Sequence, residues 1–392
     1  MRILYHHRTQ GEEPESVHID AIVGALRAMG HEVRIVSPAR GRQREGAATA
    51  AAPSWLGRIK KALPGSAFEL LQIGYNAIVW LRLHRAIRGF RPDMIYERHA
   101  LYMFGGVLAA RQAGIPLVLE VNTAYAQAWA KYFALRFQPL ARRIERWTLS
   151  HANHVITVTE VMRGKILDIG VDPGRITVSH NAVDPSVMDP ARFDRQSMRA
   201  ALGLDTFTIG FVGTMNRWQS IAKFFDVFEQ AFARIPGLQF LMVGDGEFRA
   251  ELEARCAQRP WGGRVRFVGR KGHAEVAEHI AAMDACMLLD SNDYGSPMKV
   301  FEYLALAKPV VAPRVPPVLE VLRDRDTALL IEPGNVEQMV DALVELHADA
   351  DLCRRLAQAG RRQVLEHHTW SGNAHEIVAI AQSLIGSGAC AC

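Results

Sequence analysis

The sequence predicts an α/β protein made of two doubly wound domains, each built on its own parallel sheet. The chain has 392 residues, more than a single hydrophobic core usually serves. Short apolar runs alternate with helical patterns along it, which indicates parallel strands covered by helices on both faces. The alternation stops near residue 184 and starts again at residue 207. Two such series indicate two domains.

The first series occupies the N-terminal half. It opens with the strand-like run RILY and the helical pattern VHIDAIVGALRAMG, which is predicted to end at Gly30. Further strands are predicted in EVRIVSP, MIYE, PLVLEV and HVITVT. Residues 184–206 are rich in Pro, Asp and Arg and have no strand pattern, so the domains are expected to join there. We assign residues 1–190 to the first domain.

The second series begins with FTIGFVG and continues through LQFLMVGDG, RVRFVG, ACMLL and PVVAP, with helical patterns between these runs. A group of helices follows, and we assign residues 191–369 to the second domain. Ligands of open α/β sheets bind at the carboxyl ends of the strands. We therefore expect the functional residues in loops that follow strands, and a central cleft where the two domains face each other.

Basic charge is concentrated in the first half of the chain. Residues 1–190 carry 24 Lys and Arg against 16 Asp and Glu, which predicts an anionic partner. The sequence has no helix-turn-helix pattern, zinc spacing or RNP-like aromatic run, which argues against nucleic acid. In residues 54–63 and 78–91, basic and large apolar residues alternate, as in helices that lie on an anionic membrane. A core-facing helix with a solvated basic face fits either segment equally well.

The sequence indicates a cytoplasmic protein, with peripheral contact at the inner face of the membrane as the alternative. Its start, MRILYHH, enters a strand-like run without the pattern of a secretory signal, and no uninterrupted apolar stretch is long enough to cross a bilayer. The five cysteines show neither the paired spacing of a zinc site nor the pattern of a secreted disulfide framework.

The strongest candidate site is the segment GSPMKVFEYLALAKPVVA, where an apolar helix runs into an apolar strand. Ser296 and Pro297 are predicted at the N-cap and first helical positions, which leaves the N–H groups of Met298 and Lys299 available for phosphate. The charge of Lys299 opposes the helix dipole and therefore needs another explanation. Glu302 lies on the same face among apolar residues, where a buried carboxylate needs donors such as a ribose diol. The alternative is a partly exposed Lys–Glu pair at the edge of a buried helix.

This segment resembles the donor site of retaining, nucleotide-sugar-dependent glycosyltransferases of the family 4 type, in the subgroup with the pattern SPxK followed by Glu. Nearly the whole chain shares the resemblance, through the segments GHEVRIVSP, HVITVTEVMRGKILDIGVDPGRITVSHNAVDP, FVGTM, MVGDGEFRAELE, VRFVGRKGHAEVAEHIAAMDACMLL and HTWSGNAHEIV. It implies the GT-B fold, in which two Rossmann-like domains face a central cleft, the first for the acceptor and the second for the donor. It also implies a C-terminal helix, at about residues 370–386, that packs back on the first domain.

By this resemblance, Glu302 contacts the nucleotide ribose and Lys299 contacts the diphosphate. The family has another glutamate eight positions earlier, usually at the sugar hydroxyls. Tyr294 occupies that position in this chain, and the neighbouring Asp293 is the possible substitute. Direct contact between a carboxylate and the sugar therefore depends on Asp293.

A second group of donor-side residues is implied around the first strand of the second domain. Many members place an arginine and a lysine on the diphosphate there; Thr214 takes one of those places, and Arg217 and Lys223 lie nearby. Gly213 would let the loop approach the donor, and Arg270 resembles the wall beside the base. The candidates for catalysis are Lys299, Glu302, Arg217 and Lys223. The donor-side candidates are Gly213, Thr214, Arg270, Asp293, Tyr294, Gly295, Ser296, Pro297, Met298, Lys299 and Glu302.

The acceptor is expected in the first domain. The family has a glycine-rich loop after the first strand and a polar residue near the end of a later strand, and HHRTQGEEPESVH and EVNTAY occupy these places. The acceptor-side candidates are therefore His6, His18, Glu120 and Asn122. A core histidine with satisfied hydrogen bonds fits His6 at least as well as a catalytic one.

The resemblance implies transfer of a sugar with retention to a saccharide or lipid-linked acceptor, in bacterial exopolysaccharide or lipopolysaccharide assembly. The leaving diphosphate takes the acceptor proton in this family, so no protein nucleophile, metal ion or other cofactor is expected. The D-x-D matches at Asp324–Asp326 and Asp349–Asp351 are interpreted as helix-flanking sequence. Two alternatives stay open: a catalytically silent partner subunit of the same fold, and a sugar-nucleotide epimerase.

Overall fold

The structure of the chain is a computed structural model that describes residues 1–9, 15–38, 65–123, 126, 135–215 and 221–387. It divides into two compact units, one of residues 1–180 with 371–392 and one of residues 181–370. The boundary therefore lies earlier than the predicted residue 190. The reason is that the chain joins the second unit directly after His180: the N–H of Val183 donates to the carbonyl of His368, and the N–H of Trp370 donates to that of Val183.

The first unit contains a parallel sheet of six strands in the order β2-β1-β3-β4-β5-β6. The strands are β1 (Arg2–His6), β2 (Glu32–Val36), β3 (Met94–Arg98), β4 (Leu117–Val121), β5 (His154–Thr157) and β6 (Ile176–Val178). The direction of strand succession reverses between β1 and β3, where His6 pairs with Glu97 across the two strands. Such a reversal is the place where open α/β sheets bind ligands.

The helices between these strands are α1 (Glu15–Ala28), α2 (Gly65–Phe90), α3 (Gly105–Ala113), α4 (Gln138–His151) and α5 (Glu160–Asp168). The long helix α2 contains the predicted membrane segment 78–91. Its residues Val79, Leu83, Ile87 and Phe90 are buried in the core, as the alternative of a core-facing helix requires, and contact of this segment with a membrane stays a prediction. The other predicted membrane segment, residues 54–63, lies outside the described residues.

The second unit contains another parallel sheet of six strands, in the order β12-β11-β10-β7-β8-β9. The strands are β7 (Thr208–Val212), β8 (Gln239–Val243), β9 (Val265–Gly269), β10 (Ala285–Met287), β11 (Val310–Pro313) and β12 (Leu329–Ile331). Here the reversal falls between β7 and β10, which are paired directly. Strands β7, β8 and β11 are buried along their whole length, as expected of a sheet covered on both faces.

The remaining helices are α6 (Arg195–Leu202), α7 (Ile221–Arg234), α8 (Arg249–Ala257), α9 (His273–Ala282), α10 (Met298–Ala305), α11 (Pro316–Leu319), α12 (Val336–Ala348), α13 (Ala350–His367) and α14 (Trp370–Gly386). From residue 371 onward, α14 groups with the first unit. Across the described ranges, no helix combines the length and the apolar character needed to cross a bilayer.

The predicted fold class, two doubly wound parallel α/β domains, is confirmed by these two sheets. Two strands were missed, β6 and β12. Each is only three residues long and lies at the outer edge of its sheet; β6 has no strand-length apolar run, whereas the run ALLI that contains β12 was overlooked.

Candidate functional site

The candidate donor site lies at the carboxyl ends of β7 and β10, where the order of the second sheet reverses. Lys299, in the first turn of α10, places its ammonium nitrogen 4.6 Å from the centre of the Phe211 ring. The same ammonium group lies against Gly213, so that a Cβ at position 213 would overlap it. Gly213 has a φ of 148°, which favours glycine. The loop after β7 and the start of α10 are therefore fitted to each other at this glycine.

Lys299 is a cation in a place that disfavours positive charge. Burial lowers the pKa of its ammonium group to about 7, against the opposing influence of Glu302. The helix N-terminus adds a further unfavourable field for a cation. A negatively charged ligand next to the ammonium group would stabilise its charged form, so the position suits an anion.

Glu302 lies one turn after Lys299, with 8% of its surface exposed. Burial raises the pKa of its carboxyl group, while His273 and Lys299 act in the opposite direction. His273 Nδ1 lies 3.6 Å from Glu302 Oε1. His273 begins helix α9, after the loop that follows β9, and sequence reasoning missed it. Its position beside Glu302 depends on the pairing of distant segments, for which the sequence has no local signal.

The start of α10 differs from the prediction by one residue. Pro297, with φ −77° and ψ 102°, is the N-cap, and the helix begins at Met298. The extended backbone of Pro297 keeps Ser296 out of the capping position. Ser296 Oγ is instead buried and has no hydrogen-bond partner among the described residues, while its carbonyl accepts a bond of 2.7 Å from Asn181 Nδ2. A buried hydroxyl without a partner at the start of this helix is suited to a polar ligand.

The loop between β10 and α10 is shaped by Asn292, whose Oδ1 accepts bonds from the N–H groups of Tyr294 and Gly295. Tyr294 is half-buried and Asp293 is exposed. Arg270, which directly follows β9, is also exposed. The structure therefore places these predicted donor residues in loops at the carboxyl edge of the sheet, and their contact with a donor stays a prediction.

No contact with Lys299 is described for the predicted residues Thr214 and Lys223, which follow β7. Thr214 is exposed, and Arg217 lies outside the described residues. Lys223 Nζ donates a bond of 2.8 Å to the carbonyl of Gly334 rather than contacting Lys299 or Glu302. Its role on the diphosphate stays a prediction.

The GDGE segment, residues 244–247, is a structural support for this loop. The N–H of Met215 donates to the carbonyl of Asp245 at 2.9 Å. A Cβ at Gly244 would overlap the backbone of Gly213, and one at Gly246 would overlap that of Met215. The two glycines are thus required by the close packing of two loops.

The acceptor-side candidates of the first unit converge on Glu120, at the end of β4. Arg98 Nη1 and Asn122 Nδ2 each lie 2.5 Å from Glu120 Oε1, and His18 Nε2 lies 3.1 Å from it. Tyr96 donates its hydroxyl to the other oxygen at 2.9 Å. Although burial raises the pKa of Glu120, His18 and Arg98 outweigh it and hold that pKa well below its usual range. Three of the four predicted residues, His18, Glu120 and Asn122, therefore belong to one network.

The fourth, His6, lies at the end of β1 and belongs to a separate pair. Its Nδ1 lies 2.5 Å from Glu97 Oε2, and both side chains are buried. The Glu97 carboxylate occupies the place that a Cβ of Gly106 would take. Three buried polar atoms nearby have no partner among the described residues: Tyr5 OH, Glu97 Oε1 and Asn122 Oδ1. Sequence reasoning missed Tyr96, Glu97 and Arg98, because the run MIYER reads only as a strand.

Metal ligation was tested on the described residues, where no group of three or more His, Cys, Asp or Glu side chains is arranged to hold an ion. The aspartates of the two D-x-D matches have structural partners. Asp324 pairs with Arg314, Asp349 caps α13 through the N–H of Leu352, and Asp351 pairs with Arg354. The expectation of a site without metal stays a prediction.

Two family models match the chain, each over less than half of its length. Residues 16–187 match the model described as Glycosyltransferase Family 4, and residues 206–349 match the model described as Glycosyl transferases group 1. Among curated proteins, a D-inositol 3-phosphate glycosyltransferase of Mycobacterium tuberculosis is 29% identical over 273 residues. The match covers 65% of this chain and 54% of that protein, so the chain spans about half the length of this relative.

Solved structures resemble the chain over nearly its whole length. Anabaena Alr3699/HepE in complex with UDP has a TM-score of 0.74 at 17% identity and covers 98% of this chain and 100% of its own. The same protein in complex with UDP-glucose has a TM-score of 0.72 at 16% identity, with the same coverage. Sucrose-phosphate synthase from Thermosynechococcus elongatus has a TM-score of 0.75 at 17% identity and covers 99% of this chain and 100% of its own. The predicted GT-B fold is thereby confirmed.

Proposed function

We propose that this GT-B protein is a retaining glycosyltransferase that moves a sugar from a nucleotide-sugar donor to a saccharide or lipid-linked acceptor. One observation carries the proposal: Lys299 lies half-buried beside Gly213 and Glu302 at the reversal point of the second sheet. The matches to two glycosyltransferase family models and to a D-inositol 3-phosphate glycosyltransferase support the same activity.

The donor's diphosphate is proposed to bind Lys299 and the first N–H groups of α10. A diphosphate supplies the negative charge that makes a buried ammonium group favourable, and a helix N-terminus adds donors for its oxygens. Ser296 Oγ, buried and without a partner among the described residues, is a further donor for the same group. The ribose diol is proposed to donate to Glu302. UDP is the first nucleotide to test, because the structural relative Alr3699/HepE was solved with UDP and UDP-glucose.

The acceptor is proposed to bind the first unit at the carboxyl ends of β1, β3 and β4. Glu120 is held by four cationic or polar neighbours and is therefore assigned a positioning role. Two oxygen atoms there lack partners among the described residues: Asn122 Oδ1 and Glu97 Oε1. We propose that they accept hydrogen bonds from the hydroxyl groups of a saccharide.

In the proposed reaction, the bond between the anomeric carbon and the donor's diphosphate oxygen breaks, and the acceptor oxygen bonds to that carbon on the same face. The acceptor's proton passes to the departing diphosphate oxygen. The protein contributes position and electrostatic stabilisation, and Lys299 is placed to stabilise the negative charge that develops on the diphosphate. Bacterial exopolysaccharide or lipopolysaccharide assembly, at the cytoplasmic face of the membrane, is the proposed setting.

The donor site is tested by thermal shift with UDP, GDP, ADP and dTDP. A nucleotide at about one hundred times its Kd adds about 2.7 kcal/mol of stability to the form that binds it. Lys299→Met keeps the length of the side chain and removes its charge, and Glu302→Gln keeps its shape. Glu337→Gln, at an exposed position in α12, is the matched control. We expect one nucleotide to stabilise the wild type and the control but neither site variant. If the site variants respond like the wild type, the donor site lies elsewhere.

Turnover of a sugar nucleotide distinguishes a retaining transferase from an epimerase and from a silent partner subunit. The protein is incubated with the sugar nucleotide of the base so identified, with and without a membrane extract as source of acceptor, and the sugar is followed by proton NMR. Transfer that retains the anomeric configuration supports the proposal, whereas an inverted product contradicts retention. An epimer formed without acceptor would identify an epimerase. Nucleotide binding without any turnover favours the silent partner subunit.

A further inference from the structure

Helix α2 carries more than half of the strongly exposed large apolar side chains among the described residues. Seven large apolar side chains there are strongly exposed, and four of them lie on this helix: Leu70 at 55%, Leu71 at 45%, Ile78 at 47% and Leu81 at 41%. Gly74 and Ala77 lie exposed between them. At about 3.6 residues per turn, these six residues fall within about a third of the helix circumference. We call them the outer stripe.

The fold does not account for the outer stripe. The opposite face of α2 already supplies the core with buried side chains such as Val79, Leu83 and Phe90. A helix packed on one side only is expected to be polar on the other. A contiguous exposed apolar strip therefore marks a surface that a protein partner or a membrane covers.

The charged side chains that α2 itself places at the outer stripe are all positive. Arg85 and Arg88 are exposed and continue the line of the stripe toward the end of the helix, and Arg82 lies beside it. The single acidic residue of α2, Glu69, is buried, and its carboxylate accepts bonds from Tyr102 OH and from the N–H groups of Arg136 and Phe137. The exposed face thus combines apolar side chains with arginines and no carboxylate from its own helix.

We infer that the outer stripe docks on an anionic membrane, with α2 lying parallel to the bilayer surface. Apolar side chains flanked by arginines are the composition of helices that lie in the headgroup region, and three arginines within the last turns keep this helix from crossing the bilayer. The inference extends the proposed function, because a lipid-linked acceptor is presented at such a surface.

The full chain is tested by sedimentation with sucrose-loaded vesicles, one set of phosphatidylcholine alone and one of phosphatidylcholine and phosphatidylglycerol in equal parts. The stripe variant is Leu70→Glu with Leu81→Glu, and the charge variant is Arg85→Gln with Arg88→Gln. Leu319→Glu is the matched control, because this leucine of the second unit is 48% exposed. All substituted residues are exposed, so the fold is expected to persist, and nucleotide-induced thermal shift checks it independently of the membrane.

We expect the wild type and Leu319→Glu to bind the mixed vesicles and to bind phosphatidylcholine vesicles weakly. The stripe variant is expected to lose on the order of tenfold or more in the partition coefficient, and the charge variant about fivefold for each arginine. The inference is overturned if the wild type binds neither vesicle or if the stripe variant binds like the wild type. It is also overturned if light scattering shows a dimer that the stripe variant abolishes, while no vesicle is bound. Loss of vesicle binding with nucleotide binding intact leaves the proposed donor site standing.

Discussion

Lys299 and Phe211 lie in contact at the reversal point of the second sheet, with the ammonium nitrogen 4.6 Å from the ring centre. The ring belongs to β7 and the lysine to α10, so the contact joins the strand and the helix that form the donor side. An aromatic face stabilises a cation without neutralising it. The lysine is thus held in a defined place, with its ammonium group against the ring and beside Gly213.

Gly213→Ala is expected to displace Lys299 and weaken nucleotide binding. The added Cβ would overlap the ammonium group, which can move away, and the φ of 148° would strain the alanine. We expect about 1–3 kcal/mol of lost stability from the backbone and at least tenfold weaker binding in calorimetry. The control is Gly263→Ala, where an added Cβ meets nothing within 4 Å. Unchanged binding in Gly213→Ala would show that the position of the ammonium group is not critical.

Nucleotide affinity is expected to fall as the pH rises above 7. Burial lowers the pKa of Lys299 to about 7, so above that pH the free protein holds a neutral amine that must gain a proton to bind a diphosphate. Affinity then falls by up to about tenfold per pH unit. Calorimetry from about pH 6 to about pH 9 measures the slope. Titration of the nucleotide itself is common to the wild type and Lys299→Met, so equal slopes in the two proteins would contradict the prediction.

The unliganded protein should show the opposite trend. Because the pKa of this lysine is lower in the folded chain than its ordinary value of 10.5, the unfolded chain binds more protons between about pH 7 and that value. The contribution of Lys299 to the free energy of unfolding therefore rises with pH across this window. Denaturation of the wild type and Lys299→Met measures it. The free energy of unfolding of the wild type, relative to that of Lys299→Met, should rise with pH across this window.

His273→Ala is expected to weaken donor binding more at acidic pH than at neutral pH. Burial already raises the pKa of Glu302, and His273 opposes this rise from 3.6 Å. Without the histidine, the pKa of Glu302 rises further, so the carboxylate is protonated at a higher pH and no longer accepts both bonds from a ribose diol. We expect KM to increase several-fold with a smaller change in kcat. His375→Ala, at an exposed position of α14, is the control. If the acidic side of the pH profile of KM is the same in His273→Ala as in the wild type, the histidine has another role.

The parts of this molecule that the sequence predicted are those with a local signal. The central strands are apolar runs, and Lys299 and Glu302 stand out because they contradict the apolar and dipolar character of their helix. Arg98, which completes the Glu120 network, escaped prediction because the contact depends on strand order: Arg98 of β3 meets Glu120 of β4, and the intervening sequence has no sign of it. Which side of α2 faces the core could not be predicted, since both sides of the helix carry apolar residues and periodicity alone does not tell them apart.

Gly106→Ala is expected to destabilise the first unit. The Cβ of an alanine would occupy the position of the Glu97 carboxylate, which is buried and paired with His6. Overpacking of this kind costs about 1–3 kcal/mol. Gly164→Ala in α5 is the opposite case, because an added Cβ meets nothing within 4 Å, and it is expected to stabilise the helix by roughly 0.5–1 kcal/mol. Denaturant unfolding of the two variants checks the sign of each change in the free energy of unfolding. Equal changes in the two variants would contradict the predicted overlap at Gly106.

Glu120→Gln is expected to cost about 3–5 kcal/mol at neutral pH, since it leaves the buried Arg98 without this carboxylate. The pH dependence has a definite sign. The pKa of Glu120 is held well below its ordinary value of 4.5 in the folded protein, so its stabilising contribution is complete above about that pH and is lost as the pH falls toward the folded value. Denaturation between neutral and acidic pH should therefore show that the free energy of unfolding falls less steeply with decreasing pH in Glu120→Gln than in the wild type. Glu32→Gln, at an exposed position of β2, should keep the wild-type limb. If the stability of Glu120→Gln falls as steeply with decreasing pH as that of the wild type, Glu120 does not govern the acid stability of the first unit.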